Sequence, residues 1–261
     1  MSIKRIFAVL TQEYYMVFRS VETFFDIFVF SFISLLLFGF FSSYLVGENN
    51  IIAAQHLLLG MLFWEVVRVV QYAVTIASLW NLWSRNLSNM FIAPVSTAEY
   101  VTAHTVSGII RGGLVFIINS IIAAYVFKFS VFELGFMVWV YFFLFAAFAF
   151  SAGLVILGII FRFGTRIQAF AWGIVPILQP LTAAFFPVAI LPKPLQSFAW
   201  LFPITYLFEA ARFQLDTAQV NWQLIFFAII LNFVYVIFAI VTFSWLFRAS
   251  RGSGQFARNE S

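Results

Sequence analysis

The sequence predicts an all-helical polytopic membrane protein: six transmembrane helices, an N-terminal interfacial amphipathic helix, and an outer re-entrant hairpin between spans five and six. Three observations predict it. Of the 261 residues, 64% are hydrophobic and only 9% charged, against about 45–50% and 25% in soluble globular domains. The apolar residues fall into runs long enough, at about 1.5 Å per residue, to cross about 30 Å of hydrocarbon. Six of the seven prolines crowd between 176 and 203 and break that stretch into shorter pieces.

Residues 1–22 place Ile3, Ile6, Phe7, Leu10, Tyr14, Val17 and Phe18 at helical spacing, with Lys4, Gln12, Glu13 and Arg19 elsewhere on the wheel. That pattern suits a helix lying in the cytoplasmic membrane interface rather than crossing it. The polar residues interrupt any signal-peptide core, so no cleaved leader is expected. Spans follow at about 24–46, 52–79, 105–127, 134–161, 167–189 and 222–247, making 23–250 a single membrane domain and 251–261 a cytoplasmic tail.

Basic residues orient the spans. With the N-terminus inside, cytoplasmic segments hold Lys4, Arg5, Arg19, Arg85, Arg162, Arg166, Arg248, Arg251 and Arg258, and outer segments hold only Lys128, Lys193 and Arg212. The bias toward positive cytoplasmic loops places both termini in the cytoplasm. The net charge of +4 therefore marks topology and not a nucleic-acid surface.

The longest polar connection, 81–104, falls on the cytoplasmic side and is too short to fold alone. Residues 84–90 can form a short surface helix. Ser96 stands three residues before Glu99, a capping-box start for the third span.

Charges within spans cost roughly 2.5–3.5 kcal/mol each at the helix centre, so each needs a partner. Glu65 and Arg68, three apart in the second span, share a face and are predicted to pair. Arg111 in the third span has no local acid and is expected to meet Glu65, another helix or a cavity. A structural ion pair and a substrate contact both fit these residues. Gly108 and Gly112 flank Arg111 with the four-residue spacing that permits close helix approach.

Between residues 185 and 212 the chain is apolar but broken by Pro187, Pro192, Pro194 and Pro203. Only thirteen residues, 195–207, lie between the Pro-Lys-Pro turn and the charged Glu209 and Arg212. About 20 are needed to span. The segment is expected to dip in from outside and return, leaving Lys193 and Arg212 on the same external face. Non-helical backbone at that depth needs protein or a watery cavity around it, so the hairpin is expected to line or gate a pathway. A loop lying flat among the headgroups is the alternative.

The chemistry of the residues excludes several classes. There is no cysteine, and the only histidines, His56 and His104, fall on different segments without metal spacing. None of the three lysines stands in a phosphate-binding loop, so any ATP must be handled by a partner. A secondary transporter or a channel not coupled to ATP remains the alternative to an ATP-driven carrier. The prolines in only one half argue against the first, and the few polar span residues against the second.

Four features together resemble the membrane subunit of an ABC-2 type transporter. They are the amphipathic N-terminal helix, the six spans, the Ala93-Pro94-Val95-Ser96-Thr97-Ala98-Glu99 turn, and the outer Phe186-Pro187-Val188-Ala189-Ile190-Leu191-Pro192 with Phe202-Pro203-Ile204-Thr205-Tyr206. Phe202 stands where the family usually has Asn. The resemblance implies a pair of permease copies, identical or different, in a prokaryotic cell membrane. Two nucleotide-binding ATPase subunits would hold ATP with Mg, and this chain would bind no cofactor itself. It further implies export of an amphiphile such as a drug, lipid or lipid-linked glycan. The ATPase would be contacted through Ser84, Arg85, Asn86, Asn89, Pro94 and Glu99. Glu65, Arg68, Arg111, Pro187, Pro192, Pro194 and Pro203 would line or gate the substrate path.

Overall fold

The structure is a computed structural model describing residues 1–47, 50–84 and 94–252, and among the described residues every regular element is helical. Helix α1 runs Ile3–Arg19, α2 Val21–Gly47, α3 Ile51–Trp83, α4 Thr97–Val126 and α5 Met137–Phe163. Shorter helices follow at Ala169–Leu181 (α6), Lys193–Ala199 (α7) and Pro203–Thr217 (α8), before the long α9, Trp222–Gly252.

Five helices, α2, α3, α4, α5 and α9, are long and apolar enough to cross a membrane. The expected fifth span, 167–189, is not one continuous helix. Its helical part, α6, has 13 residues and ends at Thr182, where Ala183 turns to a positive φ of 52°. Pro176 and Pro180 lie inside α6, where each lacks the N–H that would bond back to the preceding turn and so weakens the helix.

Burial shows what the bundle is built around. The most apolar window of α3 is 83% buried, whereas those of α2 and α9 are 22% buried. Helix α3 is the central post: α2, α4, α5, α6 and α8 pack against it, α9 packs on α5 and α8, and α1 lies along α4. Its core partners include Phe63, stacked on Phe116 at 5.4 Å and Phe145 at 4.9 Å between ring centroids. The outward faces of α2 and α9 carry Phe32, Phe40, Phe41, Phe233 and Phe238. An exposed apolar face of that kind belongs against lipid or another membrane chain.

The glycine spacing around Arg111 sets the α3–α4 approach. A Cβ on Gly108 would lie 2.9 Å from the Ala73 methyl, and one on Gly112 3.0 Å from Val70. A larger residue at either position would push the helices apart. Gly60 serves α3 on another side, where an added Cβ would strike the Ala184 carbonyl just past the end of α6.

The predicted capping box is present. Ser96 Oγ accepts from the Glu99 N–H at 3.2 Å, and Glu99 Oε2 accepts from the Ser96 N–H at 2.8 Å. Ser96→Ala is expected to lower thermal stability by about 1 kcal/mol, and an unchanged melting curve would show that the cap is dispensable.

Candidate functional site

The segment after α6 is held by one polar stripe on α8. The chain leaves α6 at Ala183 with carbonyl groups that no helix satisfies, and Arg212 supplies the donors. Its Nη2 donates to the Ala183 carbonyl at 3.0 Å and to Glu209 Oε1 at 2.9 Å, while Nη1 donates to the Ala184 carbonyl at 3.2 Å. Glu209 Oε1 also accepts from the Val188 N–H at 2.8 Å. Arg212 is 2% exposed. Its side chain is thus packed inside the bundle and does not face water, and its charge ties a broken helix end to α8.

Two more residues of α8 extend the attachment, Asp216 on the face of Glu209 and Arg212, and Gln214 on another. Gln214 accepts from the Tyr141 hydroxyl at 3.0 Å and donates to the Leu134 carbonyl at 3.0 Å. Asp216 sits 2.9 Å from His56 Nε2, at the start of α3. The four prolines of this region all stand at helix beginnings. Pro187 precedes a single 3-10 turn, Pro192 and Pro194 start α7, and Pro203 starts α8. That is where a missing N–H costs least. At about 10 Å and 22 Å, α7 and α8 each fall short of the hydrocarbon thickness. Helix α8 buries Ile204, Leu207, Phe208, Ala210 and Ala211 in the bundle.

Glu65 and Arg68 pair as their spacing predicts. Arg68 Nε and Nη2 donate to Glu65 Oε2 at 3.0 and 2.7 Å. The Ser31 hydroxyl on α2 lies 2.6 Å from the same oxygen and 2.5 Å from Arg68 Nη2. Arg68 Nη1 reaches the Asp26 carbonyl at 3.0 Å. Asp26 lies within the π-helical turn Phe25–Val29, whose wider winding leaves a carbonyl available for a side chain. The pair borders a cavity of about 210 Å³ between α2, α3 and α6, with Trp64, Phe38, Phe185 and Gln179 in its wall. This arrangement puts fixed charge beside aromatic surface, a combination suited to an amphiphile.

Arg111 does not join Glu65. It donates to Glu13 on α1, to Oε2 at 2.6 Å and to the backbone carbonyl at 3.2 Å. His104 Nδ1 lies 3.4 Å from Glu13 Oε1, and Glu13 and His104 are each 1% exposed. Burial alone would raise the Glu13 carboxyl, but His104 and Arg111 outweigh it and hold the group below the ordinary carboxylate range. Glu13 thus faces the protein, while Ile3, Phe7, Tyr14 and Phe18 of α1 are exposed. The wheel had it on the polar side. Nothing local in the sequence marks a partner 98 residues away.

Two further attachments hold α1, one at its N-terminal end and one beside Glu13 at mid-helix. The Ser2 N–H donates to Glu99 Oε1 at 2.6 Å, with Arg5 3.7 Å from Oε2. Gln12 donates to Asn81 at 3.2 Å, and Asn81 donates to the Tyr100 hydroxyl at 3.0 Å. Of the expected ATPase contacts, Ser84 and Pro94 are exposed and Glu99 is buried against α1. Arg85, Asn86 and Asn89 lie outside the described residues.

The family model described as ABC-2 type transporter matches residues 4–215, from α1 through nearly all of α8. No curated protein matches the sequence.

Proposed function

The chain belongs to the ABC-2 type transporter family, and from that premise we propose that it is the membrane subunit of an ATP-driven exporter. It is a multi-pass membrane protein whose transport role comes from the family. In this reading both termini are cytoplasmic, and α6 with the α7–α8 pair forms a sixth, interrupted passage whose outer part is a re-entrant hairpin. Helix α1 lies in the cytoplasmic interface. Two permease copies, identical or different, stand beside two ATPase subunits that hold ATP with Mg in a prokaryotic cell membrane.

The observation that carries this reading is the attachment of α1 to α3 and α4: Ser2 and Arg5 to Glu99 on α4, Gln12 to Asn81 on α3, which itself bonds Tyr100 on α4, and Glu13 to His104 and Arg111 on α4. A push on the cytoplasmic surface at Ser84, Pro94 or the 85–90 segment would reach α4 through a helix that cannot slide independently. The cavity beside Glu65 and Arg68 supports passage of an amphiphilic cargo, and the proline-started helices after Pro187 support a gate at the outer mouth. Arg111 serves coupling in this scheme and not the cargo path.

The test uses the purified chain and its complex. The isolated chain is expected to hydrolyse no ATP, and to form a stable, hydrolysing complex only with a co-expressed nucleotide-binding subunit. A cysteine at exposed Ser84 is expected to crosslink to that subunit. ATP hydrolysis by the chain alone, or an intact complex with no crosslink from Ser84, would refute the respective parts.

A further inference from the structure

A crevice of about 430 Å³ opens between α4, α5 and α9, on surfaces that neither the coupling scheme nor the cargo path uses. Its floor is apolar, with Leu154 and Phe243 buried in it. Its rim is polar, with Thr97 and Thr102 on α4 and Ser244 and Arg248 on α9. Among the described residues, the hydroxyls of Thr97, Thr102 and Ser244 and the Arg248 guanidinium have no hydrogen-bond or ion-pair partner. These four donors line the open slot.

We propose that this crevice binds one anionic phospholipid of the inner leaflet, its phosphate held by Arg248 and the rim hydroxyls and an acyl chain laid over Leu154 and Phe243. Height along α9 agrees. Arg248 stands about 39 Å from Trp222 along the helix, beyond the ~30 Å hydrocarbon layer and so at headgroup level on the side the positive residues make cytoplasmic. From Ile240 to Arg248 the crevice climbs about 12 Å, from acyl depth to phosphate depth. Trp245, 67% exposed, sits one turn below Arg248, where an indole anchors to the interface.

Charge complementarity selects the headgroup. Glu99, the nearest acid on α4, is two residues from Thr97 and so on the other side of the helix. It is occupied by Ser2, Ser96 and Arg5. The rim is left with positive charge and hydroxyl donors, and basic pockets between spans on the cytoplasmic side suit acidic headgroups. A zwitterionic lipid would bring its own cation against Arg248.

Native mass spectrometry of the full chain, exchanged into defined lipid, reads the site. The wild type is expected to retain one phosphatidylglycerol more firmly than phosphatidylcholine. Arg248→Ala should weaken retention about fivefold, equivalent to the about 1 kcal/mol that one basic residue contributes beside acidic lipid, and Arg248→Lys should recover most of it. A photoreactive phosphatidylglycerol with its reactive group near the chain end should label the wild type at Leu154 or Phe243, a readout that depends on no variant's folding. Equal retention of both lipids, an Arg248→Ala chain that holds phosphatidylglycerol as firmly as wild type, or label elsewhere would overturn the proposal. So would disulfide formation between two copies through cysteines at Ser244, which would seat a second copy in the crevice. None of these outcomes depends on ATP coupling or export.

Discussion

Arg212→Met will destabilise the folded chain by about 3 kcal/mol, toward the lower end of the range for breaking a buried ion pair. The substitution keeps most of the side-chain length but removes the donors that satisfy the Ala183 and Ala184 carbonyls. It also strands Glu209, whose side chain is 23% exposed, and that partial access is why the lower end applies. Melting of the detergent-solubilised chain should shift down strongly. Arg212→Lys, which keeps the charge without the planar fork, should fall between. A cysteine at 212 in the folded protein should resist water-soluble thiol reagents from either side. A Met variant that melts with the wild type would show that water or lipid headgroups reach those carbonyls.

The second large effect belongs to Glu13. Glu13→Ala leaves Arg111 without its counter-charge and is expected to cost about 3–5 kcal/mol, read as early melting and as rapid proteolysis within α1. Pairing Glu13→Leu with Arg111→Met should restore much of the loss, because a well-packed apolar pair avoids the desolvation cost of two charges. The pH dependence has a definite sign. The folded carboxyl titrates below its unfolded value, so its contribution is complete above the unfolded value and is lost as pH falls through the folded one. Stability should hold from neutral to mildly acidic pH and drop in stronger acid, and Glu13→Gln should flatten that part of the curve. A variant with the wild-type acid profile would assign the transition to other groups.

Sequence revealed whatever local spacing controls. Glu65 and Arg68 pair because three residues put them on one face, and Ser96 caps α4 because Glu99 stands at the reciprocal position. Gly108 and Gly112 admit α3 because four residues align them along one ridge. Long-range partners were hidden for the same reason. Glu13 and Arg111, or His56 and Asp216, meet only once the helices have packed. The end of the fifth apolar run was masked by its own hydrophobicity: 167–189 reads as a span until the turn at Ala183 ends the helix. Arg212 looked like a boundary marker because a charge after an apolar stretch usually meets water. The carbonyls it satisfies belong to a different segment.

The central position of α3 has a consequence for how the chain is made. Its window has a mean hydropathy of 1.6, against 2.3 for α2 and 2.9 for α9. Alone in lipid, the helix would carry Glu65 and Arg68 at a cost several apolar residues must offset. The groups that relieve that cost, the Ser31 hydroxyl and the Asp26 carbonyl, lie on α2. Because synthesis proceeds from the N-terminus, α2 emerges first and can wait at the insertion machinery with those partners already in place. The charged post then enters the bilayer beside a helix that satisfies it, and the order of segments along the chain doubles as an order of assembly.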